Sequence, residues 1–308
     1  MAEPVADEDR NTTSNSRGVA PPSETPASSS AYKYTWGPLT EVPEMSTYDY
    51  AMGWITPGST VLDIGSGPGF FAAVLSERLG CAVDCVEYNE EAAAKASAVC
   101  RRVIRADLQT AAWLDEVDSQ YDFVVLLDVL EHVTDPLGLA QGARSCLGAR
   151  GKLIASVPNV AHGAIRLPLL VGQWDYEPSG ILDDSHLKFF VGSTFIDLLR
   201  RAGLHVEELE RVYRTVSDHW LDHAADAAGS TPAEMQQLLS RTEGQTWQFI
   251  ALATRAESSE PVALSETSVD RSADLIAQLR HMQTELAVYE RRLGWLKRAW
   301  GWLRRHTS

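Results

Sequence analysis

The sequence predicts an α/β protein built on a doubly wound, mostly parallel sheet of seven strands. Two observations lead to this fold class. Short apolar segments alternate with helix-like segments from about residue 31 to residue 255, a pattern typical of a parallel sheet covered by helices on both faces. The first apolar segment also runs directly into a glycine-rich turn, GSGPG. Such turns join a strand to a helix at the edge of the sheet where ligands bind.

Seven segments are predicted to be strands. In order they are VLDIG (61–65), CAVDCVE (81–87), RVIRAD (102–107), YDFVVLLD (121–128), GKLIASVP (151–158), HVEELERVYR (205–214) and TWQFIALATR (246–255). A helix from about Phe70 to Leu79 follows the first strand, and the Ala-rich segment EEAAAKASAVC follows the second. The last two strands alternate more than the others and are separated by a polar insert of about thirty residues.

The chain is predicted to have four regions. They are a disordered segment (1–30), the α/β domain (31–255) with an insert at 159–190, a linker (256–268), and a coiled-coil and basic amphipathic helix (269–308). Apolar residues from Leu275 to Leu303 repeat at alternating spacings of four and three, which is a heptad pattern. We therefore expect a homodimer or a coiled-coil partner through residues 269–303.

The charge of the chain is strongly negative and unevenly distributed. The formal net charge of −15 argues against binding to nucleic acid. Residues 290–308 carry six Arg or Lys and one Glu, so this tail is about +5 and the rest about −20. On a helix, three tryptophans of the tail would oppose four basic residues, which favours peripheral contact with an anionic membrane. A coiled-coil partner alone, or a helix folded back on the domain, is the alternative.

The cellular location is expected to be cytoplasmic, or peripheral at the inner face of the cell membrane. No apolar run is long enough for a signal peptide or a membrane span. The 4 cysteines show no CxxC pair, so we expect reduced thiols.

The glycine loop is interpreted as a cofactor loop. Gly65, Gly67 and Gly69 allow the backbone to approach a ligand closely. Glu87 ends the second strand, twenty-two residues after Gly65, where a carboxylate can accept hydrogen bonds from a ribose diol. These two features fit either NAD or S-adenosylmethionine.

Three details favour S-adenosylmethionine over NAD. The loop is GxGxG rather than GxGxxG, and Phe70 stands where the dinucleotide pattern has Gly or Ala. Asp63 lies two residues before the first glycine, where a buried carboxylate needs donors. It can organise the loop amides and, through water, a cationic amino-acid group. Asp107 ends the third strand, where it can accept a hydrogen bond from an adenine amino group.

Four segments resemble successive motifs of the class I S-adenosylmethionine-dependent methyltransferases, and the resemblance covers about residues 40–255. The segments are VLDIGSGPGFF, VDCVEYN, RAD and LLDVLEHV. The family has a seven-stranded Rossmann-like sheet whose last strand is antiparallel. The resemblance implies S-adenosyl-L-methionine as cofactor. The cofactor-binding residues that it implies are Asp63, Gly65, Gly67 and Gly69 in the loop, Glu87 at the ribose, Asp107 with Leu108 at the adenine, and Asp128 near the methionine part.

The insert after the fifth strand indicates the kind of acceptor. It resembles the acceptor-side lid of small-molecule methyltransferases of the ubiquinone-biosynthesis type. Its sequence is also similar to that of enzymes found with bacterial glycan assembly. The chain lacks a [DNS]-P-P-[YF] motif, which argues against methylation of nitrogen. We therefore expect O-methylation of a sugar hydroxyl in a glycan or glycolipid. A quinone or small phenolic acceptor is the alternative, and a non-catalytic scaffold acting through the tail is another.

Three histidines are candidates for the base that removes the acceptor proton. His186 ranks first because Asp183 and Asp184 could orient its ring, and His132 ranks second. His162 is the third, and a structural role is the alternative for each. No metal site is assigned, although the DDxH cluster could hold a divalent ion. Four lid aromatics either line the acceptor pocket or pack the lid down, namely Trp174, Tyr176, Phe189 and Phe190. Five aromatics near the start of the domain either cover the ligands or form an apolar flap, namely Tyr32, Tyr34, Trp36, Tyr48 and Tyr50.

Overall fold

The computed structural model of the chain describes residues 46–118 and 120–256. The predicted disordered segment, Tyr32, Tyr34 and Trp36 lie outside the described residues. So does the predicted coiled coil with its basic tail. The proposed domain boundaries stay predictions.

The sheet has the predicted seven strands and the predicted direction of each. The strands are β1 (Thr60–Ile64), β2 (Ala82–Val86), β3 (Arg102–Ile104), β4 (Tyr121–Leu127), β5 (Leu147–Pro158), β6 (Leu204–Tyr213) and β7 (Thr246–Arg255). Their order across the sheet is β3-β2-β1-β4-β5-β7-β6. The first five strands pair in parallel, and β7 runs antiparallel to both β5 and β6. The α/β fold class is confirmed.

Helices alternate with the strands or follow them along the chain. They are α1 (Thr47–Trp54), α2 (Phe70–Leu79), α3 (Glu90–Ala96), α4 (Pro136–Ser145), α5 (Gly163–Leu170), α6 (Gly192–Arg201), α7 (Asp218–Ala228) and α8 (Pro232–Arg241). None of the helices in the described part of the chain is both long enough and apolar enough to cross a membrane.

Both faces of the sheet are buried, which explains why its central strands are almost uninterruptedly apolar. In β1, Leu62 and Ile64 join one hydrophobic cluster, while Val61 joins the cluster on the opposite face. In β4, Val124 joins the first cluster and Phe123 the second. Because side chains alternate along each strand, each strand contributes residues to a hydrophobic core on both faces of the sheet.

The insert between β6 and β7 is a structured element rather than a polar loop. It forms α7 and α8, which pack with α5 around a small hydrophobic cluster of their own. Leu221 and Leu239 are buried there beside Leu167 from α5. The apolar residues of the insert recur at helical spacing, so a mostly polar composition conceals a buried face. The insert thereby supports the segment that follows β5.

The expectation of four reduced thiols is wrong for one pair. Cys85 in β2 and Cys100 after α3 form a disulfide, whereas Cys81 and Cys146 are free and buried. Spacing along the chain did not suggest this pair, because the two residues meet only when α3 folds back beside β2. The bridge ties the end of α3 to the strand that leads to Glu87.

Candidate active site

The glycine loop joins β1 to α2 in a backbone shape that favours glycine. Gly65, Gly67 and Gly69 have φ values of 73°, 56° and 79°, in the left-handed region that side chains disfavour. A Cβ at Gly65 would come within 2.7 Å of a Val129 methyl, and one at Gly69 within 3.0 Å of the Ala96 Cα. The loop is therefore pressed between the segment after β4 and helix α3. The backbone could not take this path with larger residues.

Glu87 holds the loop from the neighbouring strand end. Its Oε2 accepts a hydrogen bond from Gly67 N at 2.8 Å, and its Oε1 accepts one from Asn89 N at 2.7 Å. A carboxylate has about four lone-pair directions, so both oxygens retain capacity for a hydroxyl donor. The structure places Glu87 where the sequence predicted it, beside the glycine loop.

Asp63 is buried at the end of β1, and one of its carboxyl oxygens makes no hydrogen bond with the described residues. Its side chain is 4% exposed, and its Oδ2 has no hydrogen-bond partner among the described residues. Burial and, to a smaller extent, the charge of Glu87 raise the pKa of Asp63 to about 7. The expected hydrogen bonds from the loop amides do not reach this oxygen. A buried carboxyl in this state would gain from a cationic group supplied by a ligand.

The segment after β3 forms the next part of the same edge. Asp107 is exposed, and its Oδ1 accepts a hydrogen bond from Gln109 N at 2.9 Å. Leu108 packs against the main core. The Gln109 side chain reaches across to the segment after β4, where Nε2 donates to the carbonyl of His132 and Oε1 accepts from Thr134 N at 2.9 Å. This amide bridge was not found from the sequence, because it joins residues 25 positions apart.

Asp128 directly follows β4 and has a strained backbone conformation. Its φ is 55°, and a positive φ is uncommon for a residue other than glycine. Its carboxylate accepts from Ser156 Oγ at 2.7 Å and from Gln248 Nε2 at 2.9 Å. Burial raises the pKa of Asp128, while these two hydrogen bonds and the charge of His186 act in the opposite direction. Strands β5 and β7 therefore hold this carboxylate at the edge of the sheet where the predicted ligand residues converge.

The predicted lid meets the segment after β4 in a cluster of two histidines and an acid. The rings of His132 and His186 lie edge to face with centroids 4.7 Å apart. Glu131 is 1% exposed, and its Oε2 has no partner among the described residues. Burial raises the pKa of Glu131 well above its usual range, and the charges of Asp128 and Asp183 add to the rise. Glu131 was not predicted from the sequence, although an acid within the apolar run VLEHV was a usable signal.

The two histidines have different hydrogen-bond partners. Nδ1 of His186 lies 2.9 Å from the carbonyl oxygen of Ile181, so that carbonyl, rather than the predicted acidic neighbours, makes the hydrogen bond that orients the ring. Nδ1 of His132 lies 3.2 Å from Ser185 Oγ, whose hydroxyl donates to Asp183 Oδ1. The acid predicted to orient His186 therefore connects through a serine to His132.

The third candidate, His162, has a structural role. It is fully buried, and its Nδ1 accepts a hydrogen bond from Ala164 N at 3.1 Å, which caps the start of α5. Its Nε2 lies 3.0 Å from the carbonyl oxygen of Arg214. Burial lowers the pKa of His162, which disfavours the protonated ring. Since both nitrogens are engaged, His162 is removed from the candidate bases.

The lid aromatics divide into two groups. Phe190 is buried in the core beside Phe195. Trp174 packs edge to face on Phe189 at 5.7 Å and on Tyr176 at 6.4 Å. Phe189 in turn lies 6.5 Å from the ring of His186. A row of aromatic rings thus leads from the histidines to the surface, where Tyr176 is 57% exposed.

Tyr48 and Tyr50 lie in α1, near the start of the described residues. Tyr48 packs on Phe70 and Phe71 of α2, with ring centroids 6.3 Å and 5.2 Å away. Tyr50 packs on Trp54 at 6.1 Å. Tyr48 therefore packs against α2, whereas Tyr50 packs within α1, and these apolar contacts agree with the flap alternative.

The histidine cluster also has the composition of a cation site. Ligand atoms of Glu131, His132 and His186 all lie within 4.8 Å of one another, and carboxylate and imidazole are common ligands of divalent metals. No metal site is assigned from the sequence, where Asp183, Asp184 and His186 are the only possible ligands considered. The structure brings a different set together.

A doubly wound sheet with an antiparallel seventh strand, a GxGxG loop and a carboxylate at the end of the second strand defines the class I S-adenosylmethionine-dependent methyltransferases. A family model described as "Methyltransferase domain" matches residues 42–209, more than half of the chain. The chain belongs to this methyltransferase family. It is an S-adenosylmethionine-dependent methyltransferase, and S-adenosyl-L-methionine is its cofactor.

Two curated relatives carry the name ubiquinone biosynthesis O-methyltransferase. The protein of Ruegeria pomeroyi is 32% identical over 183 residues, which cover 56% of this chain and 72% of the relative. That of Cereibacter sphaeroides is 30% identical over 175 residues, which cover 55% and 70%. A solved S-adenosylmethionine-dependent methyltransferase of Archaeoglobus fulgidus has a TM-score of 0.47 and 18% identity, over 67% of this chain and 90% of that one. This last similarity is too low to bear on function.

The residues of the site fit the cofactor. The left-handed glycines let the loop turn tightly between β1 and α2, with its backbone close to the neighbouring segments. Asp63 presents a buried carboxyl whose Oδ2 lacks a partner in the described part of the chain, which suits a cationic amino group. Glu87 has acceptor capacity for a ribose diol. These assignments to single residues stay predictions from chemistry and position.

Proposed function

We propose that the protein transfers a methyl group to a hydroxyl oxygen of a small aromatic acceptor, of the phenol or quinol type. The observation that carries this proposal is the cluster of His132, His186 and Glu131 beside Asp128, with a row of aromatic rings leading to it. When bound, S-adenosylmethionine supplies a methyl group on a positively charged sulfur that is already activated for transfer. The protein then has to align the acceptor oxygen and take up its proton.

His132 is the proposed general base, ahead of His186. Its Nδ1 is bonded to a serine hydroxyl backed by a carboxylate, whereas Nδ1 of His186 is bonded to a neutral backbone carbonyl. A nearby negative charge stabilises the imidazolium formed when the ring takes up a proton. His186, which packs against His132, then shapes the pocket around the acceptor oxygen.

The aromatic row supports a planar acceptor. Phe189, Trp174 and Tyr176 offer ring faces and edges against which a phenol or quinol would pack. The two curated relatives are named for ubiquinone biosynthesis, which agrees with this acceptor class. A sugar hydroxyl of a glycan or glycolipid remains the second candidate. Aromatic side chains also pack against sugar rings, and the sequence of the lid is similar to that of enzymes of glycan assembly.

Direct assay with two acceptor classes tests the proposal. The protein is incubated with S-adenosylmethionine and either 3,4-dihydroxybenzoate or a rhamnolipid, and the products are examined by mass spectrometry for one added methyl group on oxygen. We expect methylation of the catechol, reduced at least about tenfold by His132→Ala. His205→Ala is the control, since this histidine is exposed on β6. Methylation of the rhamnolipid alone would transfer the assignment to glycans.

A second assay, with a chelator, distinguishes a role of the histidine cluster in proton transfer from a role in cation binding. The assay is repeated after treatment with EDTA. Unchanged activity agrees with His132 as base. Activity that is lost and then restored by a divalent cation would assign Glu131, His132 and His186 to a metal site instead.

We also propose that residues 290–308 bring the protein to an anionic membrane surface, where an apolar acceptor would be held. The support is the sequence alone, because the tail lies outside the described residues. Full-length protein and a chain ending at residue 289 are compared for co-sedimentation with vesicles of 30% phosphatidylglycerol. Equal sedimentation of the two would contradict the proposal.

A further inference from the structure

We propose that Ser185 and Asp183 are positioning residues for His132, joined to it in a hydrogen-bonded relay of Asp183, Ser185 and His132. The inference rests on the proposed role of His132. It adds the reason why this ring would present a basic nitrogen to the acceptor. Both residues lie in the lid. Ser185 contacts His132 although the two residues are 53 positions apart in the chain.

The hydrogen bonds fix the direction of the relay. Asp183 Oδ1 accepts from the backbone N–H of Ser185 at 2.8 Å, so this oxygen is an acceptor. The hydroxyl of Ser185 lies 2.5 Å from the same oxygen and donates its only proton there. Towards His132, at 3.2 Å, the serine oxygen can then only accept. Nδ1 of His132 must therefore carry the hydrogen.

This tautomer has a chemical consequence. A neutral imidazole carries one N–H and one lone pair. With the hydrogen on Nδ1, the lone pair is on Nε2, which becomes the nitrogen able to take a proton from an acceptor. Asp183 is fully buried, so its carboxylate acts in a medium of low dielectric constant. Through the serine it stabilises the positive charge that His132 gains during proton uptake.

The lid backbone also bonds to the segment that carries His132. Leu187 N and Lys188 N both donate to the carbonyl oxygen of Glu131, at 2.8 Å and 3.0 Å. Glu131 directly precedes His132, so the peptide that carries the ring is fixed by the same lid segment that supplies Ser185. His186 from this segment packs on the His132 ring at 4.7 Å. The lid thus sets the position, rotation and tautomer of the ring together.

Nuclear magnetic resonance tests the relay without an acceptor. Long-range ¹⁵N–¹H spectra of the histidine rings are recorded at a pH where they are neutral, with His132 assigned through His132→Gln. We expect the Nδ1–H form in the wild type and in Ser185→Thr, which keeps the hydroxyl. We expect a mixture of forms, or mainly Nε2–H, in Ser185→Ala. An unchanged ring in Ser185→Ala would overturn the relay.

Kinetics test whether the relay serves catalysis. With 3,4-dihydroxybenzoate as the probe, Ser185→Ala should lower kcat at least about tenfold with KM changed less than about threefold. Ser185→Thr should recover most of the loss. Ser240→Ala is the control, because the Ser240 hydroxyl bonds within α8, to the carbonyl of Gln236. A changed tautomer with kcat unaffected would overturn the catalytic role, and failure of the catechol to react would leave the spectra to decide the relay itself.

Discussion

The carboxyl group of Asp63 is buried beside that of Glu87, at the ends of the paired strands β1 and β2. Burial and the charge of Glu87 together raise the pKa of Asp63 to about 7, and its Oδ2 has no partner in the described part of the chain. This arrangement destabilises the protein without its ligand. It also provides a favourable place for a positive charge, since two acids face the same loop.

Asp63→Asn should stabilise the ligand-free protein at alkaline pH. The folded pKa is about 7 against a usual 3.8, so the folded state binds more protons than the unfolded state between these values. The contribution of Asp63 therefore makes the free energy of unfolding fall as pH rises through this window, by up to about 4 kcal/mol in all. Urea unfolding at pH 5 and pH 8 measures this, and the loss should be smaller in Asp63→Asn. Equal losses in the two proteins would contradict the assignment.

Binding of S-adenosylmethionine should release a proton below pH 7. The cationic group of the ligand favours ionised Asp63, so the proton held at low pH must leave on binding. Calorimetric titrations at pH 6 in buffers of different ionisation enthalpy count the released protons. We expect a release that vanishes in Asp63→Asn, together with weaker binding. A proton count that does not depend on Asp63 would show that another group is responsible.

Gly69→Ala should disrupt the loop more than Gly58→Ala. Both glycines have a φ of 79°, so backbone strain of about 1 kcal/mol is common to the two variants. Only at Gly69 would the new Cβ meet other atoms, Val99 Cγ2 at 2.8 Å and Ala96 Cα at 3.0 Å. At Gly58 nothing lies within 4 Å. We expect a loss of affinity for S-adenosylmethionine of more than about tenfold in Gly69→Ala alone. Equal affinities in calorimetry would remove the loop from the binding site.

Glu87→Gln should weaken cofactor binding through both the loop and the ribose. The side chain holds Gly67 N and Asn89 N with its two oxygens, and an amide offers only one acceptor oxygen for these two donors. We expect the Kd for S-adenosylmethionine to rise about tenfold to a hundredfold, from the loss of one or two charge-assisted hydrogen bonds. Glu90→Gln is the matched control, since its ion pair with Arg105 is exposed. Equal affinity in the two variants would argue against the ribose role.

Thiol titration should find two free cysteines. Of the 4 cysteines in the sequence, Cys85 and Cys100 are bonded. Unfolded but unreduced protein should therefore react with two equivalents of a thiol reagent, and reduced protein with four. Closing a chain segment of 15 residues is worth about 3 kcal/mol, so reduction should lower the Tm measurably. Four reactive thiols before reduction would restore the sequence-based expectation.

The sequence predicted the parts of the molecule that depend on local pattern. The strands appear as apolar runs because both faces of the sheet are buried, and the loop appears as glycines because its backbone angles need them. Glu87 and Asp63 were found by their distance from that loop. The predicted roles of these residues stay predictions, because residue type and position alone do not establish what a side chain binds.

What the sequence did not predict depends on contacts between distant segments. Ser185 meets His132 only because the lid folds over the segment after β4. Cys85 meets Cys100 only because α3 packs beside β2. The insert after β6 was expected to be polar, yet it supplies the cluster that supports α5. Each case joins groups whose spacing along the chain has no regular relation to their distance in space.

The packing of α7 and α8 against α5 divides the enzyme in a way that matters for its evolution. The groups proposed to bind the cofactor come from residues 63–128, whereas the proposed acceptor side draws on the segment after β5, which the insert between β6 and β7 supports through α5. The lid segment and the insert can change together while the strands and the glycine loop stay as they are. Chimaeras that swap both segments between relatives should therefore change acceptor preference more readily than point changes in the sheet.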